Sequence, residues 1–168
     1  MAGSCIYHSP CGELVLAACE GRLYACDWQA NGRWEATERR LRRYLSVPWE
    51  PAEASVVREA VSQLDAYFEH RSRRFSLPIA FCGTSFQQEV WQALFALPYG
   101  VRCSYADMAR RIGRPSSVRA VASAIAANPL SIVVPCHRVL GADGRLAGYA
   151  GGGEAKQWLL AWESDEKE

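Results

Sequence analysis

Ser104–Pro129 reads SYADMARRIGRPSSVRAVASAIAANP, two short helical patterns on either side of Gly113-Arg114-Pro115. Ser104 with Asp107 three residues later is a capping-box pattern that opens the first helix. Gly113 to Pro115 make a tight break, and Asn128-Pro129 stops a second helix expected over about 116–128. Two short helices around a glycine-containing turn, in a stretch rich in arginine, resemble a helix-turn-helix. On the second helix Val118, Val121, Ala122 and Ile125 fall at i, i+3, i+4 and i+7, so they are expected to face the core. Arg119 lies about 100° off that stripe and projects outward. Around it stand the small residues Ser116, Ala120, Ser123, Ala126 and Ala127. Such a face with one long cation suits close contact with a groove. The bland alternative is a surface helix of good propensity, since alanine is the best helix former.

Working outward, TSFQQEVWQALFALPYG upstream predicts a helix capped by Thr84 or Ser85, with Phe86, Val90, Leu94 and Leu97 as its apolar face. Downstream, LSIVV (130–134) reads as a buried strand running into Pro135-Cys136-His137-Arg138-Val139. GADGR reads as a turn, LAGYAGGG as a glycine-rich loop around Tyr149, and EAKQWLLAWE as a closing helix.

The first part of the chain has a different texture. CIYHS, GELVLAAC and RLYACDW are short alternating segments parted by PCG and EGR, which predict an antiparallel meander. EATERRLRRYL and SVVREAVSQLDAYFEH then carry helical spacing, the latter with Val57, Val61, Leu64 and Phe68 as its stripe. A boundary is expected in RSRRFSLPIAFCGTS, which gives two domains, 1–82 and 83–168. The fold class is α+β: a small N-terminal α/β domain with an antiparallel sheet, then a winged-helix-like helix-turn-helix domain.

Composition narrows the class. With 168 residues, 49% hydrophobic and 22% charged, the chain reads as an ordinary globular protein able to bury a core without staples. No apolar run nears the roughly 20 residues that span a bilayer, so no membrane is expected and a cytoplasmic location is. Seven cysteines (5, 11, 19, 26, 82, 103 and 136) suit reduced thiols better than a disulfide framework. No C-x-x-C pair occurs, and Cys5, Cys19 and Cys26 fall on predicted strands, so small core residues are a better reading than zinc ligands.

Net charge is only +1, but its distribution is uneven. Residues 1–82 hold 10 Arg and 10 acidic residues, whereas 102–145 hold 7 Arg against Asp107 and Asp143, a local net of +5. Such a zone is the footprint a polyanion partner needs, or else a solvated face.

Cys136 beside His137 raises the question of chemistry. A thiolate is the nucleophile, and a nearby imidazole lowers a thiol's pKa from about 8.5 towards neutrality. Glu163 is an available carboxylate to orient the ring. Adjacent residues on an extended chain point apart, so a turn after Pro135 or a bridging water is required. An inert buried Cys beside a structural His is the alternative reading of the dipeptide.

VVPCHRVLG, AGYAGG, SYADMA, VRAVASAIAANP and QWLLAWE in one chain resemble the O6-alkylguanine-DNA alkyltransferases, closest to their bacterial members. The resemblance runs from about Thr84 to Glu163 and implies repair by direct reversal, with an alkyl group passing irreversibly and once per molecule from O6-alkylguanine, and from O4-alkylthymine, to Cys136. It implies His137 as base through a water, Glu163 holding it, Tyr105 contacting the target base and phosphate, and Asn128 joining the recognition helix to the active site. Val139, Tyr149 and Ala150 match the guanine pocket, where some relatives carry Ser in place of Ala150. Arg119 matches the finger that enters the duplex, with Ser116, Ala120, Ser123 and Arg114 beside it on the DNA. The implied partner is double-stranded DNA, held through its minor groove by a monomer, with no cofactor and no metal. Two rivals stand beside it: a binding-only alkyltransferase-like protein, which would lack the cysteine that Cys136 supplies, and a cysteine hydrolase, which would turn over and would leave the helix-turn-helix unexplained.

Overall fold

The computed structural model describes residues 4–141, 144 and 149–165 and divides into two compact units, Met1–Cys82 and Gly83–Glu168.

Unit 1 opens with the meander β1 (Ser4–Ser9), β2 (Gly12–Cys19) and β3 (Arg22–Trp28), antiparallel in the order β1-β2-β3. Register runs Cys5 opposite Leu16 and Leu16 opposite Cys26, with an irregularity at Ala17/Ala18. Two helices follow, α1 (Arg33–Leu41) and α2 (Ser55–Phe68). Val15, Ala17 and Cys19 cluster with Trp34 and Leu41 of α1. Strand side chains alternate, so Leu14, Leu16 and Ala18, also buried, point to the opposite face, and α2 packs on this strand. The centre of β2 is therefore apolar on both sides rather than alternating, as strands covered on both faces are. On α2 the buried residues are Val57, Ala60, Leu64 and Tyr67, with Val61 and Phe68 only half-buried. The stripe is rotated by about one residue from the expected one. Tyr67 is the pivot, its ring set edge-on to Phe68 and tilted on Phe75. Cys19 and Cys26 are buried; Cys5 is half-buried.

Unit 2 comprises α3 (Ser85–Phe95), β4 (Cys103–Ser104), α4 (Tyr105–Arg111), α5 (Val118–Ala126), β5 (Val139–Leu140) and α6 (Gly153–Asp165). Thr84 caps α3 in a reciprocal box with Gln87, and Ser104 caps α4 in one with Asp107. Trp91, absent from the expected apolar face of α3, is its largest buried side chain and donates Nε1–H to Ala124 O of α5 at 2.8 Å. It also explains Gly83, where a Cβ would stand 2.7 Å from the Trp91 ring. Between α4 and α5 the turn passes through Gly113 at φ 75°, a left-handed conformation that favours glycine. β4 and β5 pair in parallel, Cys103 with Val139, the only sheet among the described residues of this unit. The turn expected at GADGR falls largely outside the described residues; of the loop expected at LAGYAGGG, 149–152 are described and form a turn in which Gly152 N donates to Tyr149 O at 3.0 Å.

Candidate active site

LSIVV is buried as expected, but it is not a strand. Val133 N donates to Ser131 O, and Val134 N to Leu130 O, each at 2.8 Å, closing a tight turn in which Ile132 takes φ 71°. Asn128 imposes that turn: its Oδ1 accepts from Leu130 N and its Nδ2 donates to Val134 O, both at 3.0 Å. A buried amide satisfied by backbone on either side of five residues holds them bent, which outweighs the β preference of Ile and Val. Asn128 thus ties the end of α5 to the segment before Pro135.

Cys136 N then donates to Val134 O at 2.8 Å and Arg138 N to Pro135 O at 3.1 Å, so Cys136–Arg138 form a 3-10 turn. Successive side chains in such a turn fan out at about 120° instead of opposing one another. All three are buried, Cys136 at 3% exposure, His137 at 0% and Arg138 at 5%.

His137 Nε2 lies 2.7 Å from Glu163 Oε2. Arg138 grips the same carboxylate with two parallel bonds, Nε to Oε1 and Nη2 to Oε2, both 2.9 Å. Gly100 N adds a third donor to Oε1 at 3.1 Å, and Arg138 Nη1 donates to Leu97 O at 2.6 Å. Burial alone would raise the pKa of Glu163, but His137 and Arg138 hold it well below the usual carboxylate range. Burial lowers His137 from its ordinary 6.5, more than Glu163 restores. Arg138 supplies the charge that Glu163 needs, so the imidazole stays neutral with its proton on Nε2. Nδ1 is left as an acceptor, without a hydrogen-bond partner among the described residues.

Tyr105, the first residue of α4, and Lys156 of α6 both feel Cys136. Burial and then Cys136 raise the tyrosine's pKa, while burial lowers that of Lys156 against the pull of Cys136. Lys156 is 1% exposed, donates to Val139 O at 2.6 Å, and lies 5.9 Å from the ring of Tyr105 and 5.8 Å from that of Tyr149. Val139 is buried and Ala150 half-buried. The structure therefore gathers Cys136, His137, Glu163, Tyr105, Val139 and Tyr149 around one turn, with Asn128 fixing its backbone.

Two participants were missed. Arg138 belonged to the basic zone read as facing a polyanion, yet it is internal, consumed by Glu163 and Leu97. Lys156 carried a readable signal: Lys156, Leu159, Leu160 and Glu163 recur at i, i+3, i+4 and i+7 and are all buried, so the apolar stripe of α6 has a cation at one end and an anion at the other.

On the helix-turn-helix, Ser116, Arg119, Ala120, Ser123 and Ala126 are exposed while Val121 and Ile125 are buried, as the spacing predicts; Val118 and Ala122, expected at the core, and Ala127, expected outward, are half-buried, and Ala124 is buried as well. Three other arginines of the zone have protein partners: Arg102 with Ser164 Oγ at 3.1 Å, Arg110 with Asp107, and Arg114 with Glu89 at 3.2 Å over the Phe86 ring, while Arg111 is exposed at the end of α4. Arg145 lies outside the described residues. No group of three or more His, Cys, Asp or Glu among the described residues is placed to hold a metal ion, and no described helix is long and apolar enough to cross a membrane.

A thiol on a turn beside a buried His-Glu-Arg set shares its unit with a helix-turn-helix on which Arg110, Arg111, Arg114 and Arg119 are exposed, an arrangement that suits the class of nucleic-acid-binding proteins with a reactive cysteine. Comparison with known proteins gives the particular family. Residues 5–81 match the ribonuclease-like domain, and residues 85–165 the DNA binding domain, of 6-O-methylguanine DNA methyltransferase. Methylated-DNA–protein-cysteine methyltransferase of Mycobacterium leprae is 49% identical over 94% of this chain and 90% of its own. The constitutive enzyme of that name from Bacillus subtilis is 42% identical over 90% and 89%. Mycobacterium tuberculosis O6-methylguanine methyltransferase superposes with a TM-score of 0.83 at 37% identity, covering 99% of this chain and 94% of that one. Mycobacterium tuberculosis OGT in complex with DNA gives 0.81 at 37%, covering 96% and 92%. The chain belongs to the 6-O-methylguanine DNA methyltransferase family.

Proposed function

We propose that Cys136 is the alkyl acceptor of this methylated-DNA–protein-cysteine methyltransferase, a DNA-repair enzyme that acts by direct reversal. The observation that carries the assignment is the buried Glu163–His137 pair directly behind Cys136, with Nδ1 of His137 left as a proton acceptor. Through a bridging water, Nδ1 takes the thiol proton. The thiolate attacks the alkyl carbon on guanine O6, the C–O6 bond breaks, and its electron pair stays on the base. Tyr105, whose raised pKa keeps its phenol protonated, donates a hydrogen bond that stabilises the departing base anion, which then takes up a proton from water. A thioether remains on Cys136, with no carbonyl for water to attack, so each molecule reacts once.

An alkyl carbon inside a stacked duplex is out of reach, so the base is flipped out at a cost of a few kcal/mol. The exposed small-residue face of α5, with Ser116, Ala120 and Ser123, lies in the minor groove, and Arg119 enters the gap. Arg114 reaches a phosphate once it leaves Glu89. Val139, Tyr149 and Ala150 hold the extruded base, and Lys156 fixes the Val139 carbonyl. O4-alkylthymine is a second substrate by the same chemistry, and the protein works as a cytoplasmic monomer. The N-terminal domain, 1–82, is scaffold and the C-terminal domain, 83–168, binds DNA and accepts the alkyl group. Mass spectrometry after exposure to duplex DNA containing O6-methylguanine tests the proposal. One added methyl group on Cys136 is expected; turnover without an adduct would instead favour a hydrolase.

A further inference from the structure

Unit 1 is neutral overall, with ten arginines against ten acidic residues, yet from Arg33 to Tyr44 five arginines (33, 39, 40, 42, 43) face two glutamates (35, 38), a net of +3. Three of the five are engaged. Arg33 Nε lies 3.0 Å from Oδ2 of buried Asp27. Arg42 stacks 4.3 Å over the Trp49 ring, and Arg40 donates to Thr37 Oγ1 at 3.3 Å. Arg39 and Arg43 are exposed and form no ion pair among the described residues.

Helix geometry aims these two in one direction. Leu41 is fully buried, and residues two positions to either side stand about 160° away from it around the axis. Backbone bonds from Arg42 N to Glu38 O (2.9 Å) and Leu45 N to Leu41 O (3.0 Å) carry the helical path past the end of α1. Arg39 and Arg43 are thus one turn apart, about 6 Å along the axis, on the face opposite the core. Tyr44, 55% exposed, follows directly. Burial lowers the pKa of Arg40; of its charged neighbours Arg33 and Arg43 lower it further, while Asp27 raises it.

We propose that Arg39, Arg43 and Tyr44 form a second DNA contact, on unit 1, that grips backbone phosphates and reads no sequence. Planar guanidinium groups pair with phosphate oxygens through two parallel bonds, and a phenol O–H donates to a third. The partner is argued from charge complementarity: the family binds DNA, and this patch presents two exposed cations one helical turn apart on a face with no offsetting ion pair among the described residues. The inference rests on that DNA binding and adds a surface outside the helix-turn-helix unit.

The test is a salt titration of affinity for an undamaged duplex, run on the wild type, on Arg39→Ser/Arg43→Ser and on Arg39→Lys/Arg43→Lys, with melting temperature as the check on folding. Each phosphate contact adds about 0.9 to the slope of log affinity against log salt, so the serine pair is expected to be shallower by about 2 and the lysine pair to match the wild type. Tyr44→Phe is expected to weaken affinity without changing the slope. Equal slopes and affinities for the serine and lysine pairs would overturn the second contact while leaving the helix-turn-helix contact standing. A wild-type affinity indifferent to salt would overturn both.

Discussion

His137 Nε2 stands 2.7 Å from Glu163 Oε2, while Arg138, the next residue, holds both oxygens of the same carboxylate at 2.9 Å. One buried anion therefore serves two neighbours in different ways: it orients the imidazole and neutralises the guanidinium. Removing Glu163 or Arg138 leaves the other as an uncompensated buried charge.

Arg138→Met is accordingly expected to cost about 3–5 kcal/mol, the range for breaking a buried ion pair, and Glu163→Gln a similar amount, because it strands Arg138. Urea unfolding of each variant measures this. A loss below 1 kcal/mol would mean that water reaches the pair.

Acid should act on the same groups in two stages. His137 has a folded pKa below 6.5, so its contribution is full above 6.5 and is lost as pH falls below that value. Glu163, also lowered, contributes fully above its ordinary 4.5 and loses that contribution at more acid pH. Denaturant midpoints taken from neutral to mildly acid pH should fall, and NMR titration of the His137 ring should give a midpoint below 6.5. A midpoint above it would show that the imidazole carries the positive charge assigned here to Arg138.

Cys136→Ser is expected to abolish transfer while duplex binding persists, because the thiol is buried and the exposed face of α5 is separate from it. Peptide mapping of the reacted wild type should place the methyl group on Cys136 alone among seven cysteines. Label on half-buried Cys5, Cys82 or Cys103 would remove the case for one activated thiolate.

Arg119→Ala separates extrusion of the base from chemistry. Loss of its contact in the vacated stack should cost about 1–3 kcal/mol, the range for a base contact, in single-turnover repair of duplex DNA. Reaction with free O6-benzylguanine, which needs no extrusion, should proceed at the wild-type rate. Equal slowing on both substrates would make Arg119 a support of the fold.

What the sequence revealed followed the reach of its signals. Capping at Ser104 and Thr84, the faces of α5 and the meander were readable because spacing within one element decides them. From the residues Glu163 was no more than an available carboxylate for His137, and the family resemblance singled it out, since 26 residues separate them and no local rule joins them. Arg138 was misjudged because a charge count cannot tell a cation paired inside from one in solvent. LSIVV was misread as a strand because composition favoured it, and the side chain of Asn128, just outside the run, overruled that preference.

Ile132 takes φ 71° in the bent segment, a conformation that costs a branched residue on the order of 1–3 kcal/mol. Ile132 is also only 1% exposed, so glycine there would relax the backbone but empty a packed site, at a cost of about 2–5 kcal/mol or more. Burial and strain act on the same side chain in opposite directions, and burial is the larger of the two. A library of variants screened for heat resistance should therefore keep a large apolar residue at position 132 in spite of its backbone. The conformational energy held beside the nucleophile is secured by the very side chain that suffers it.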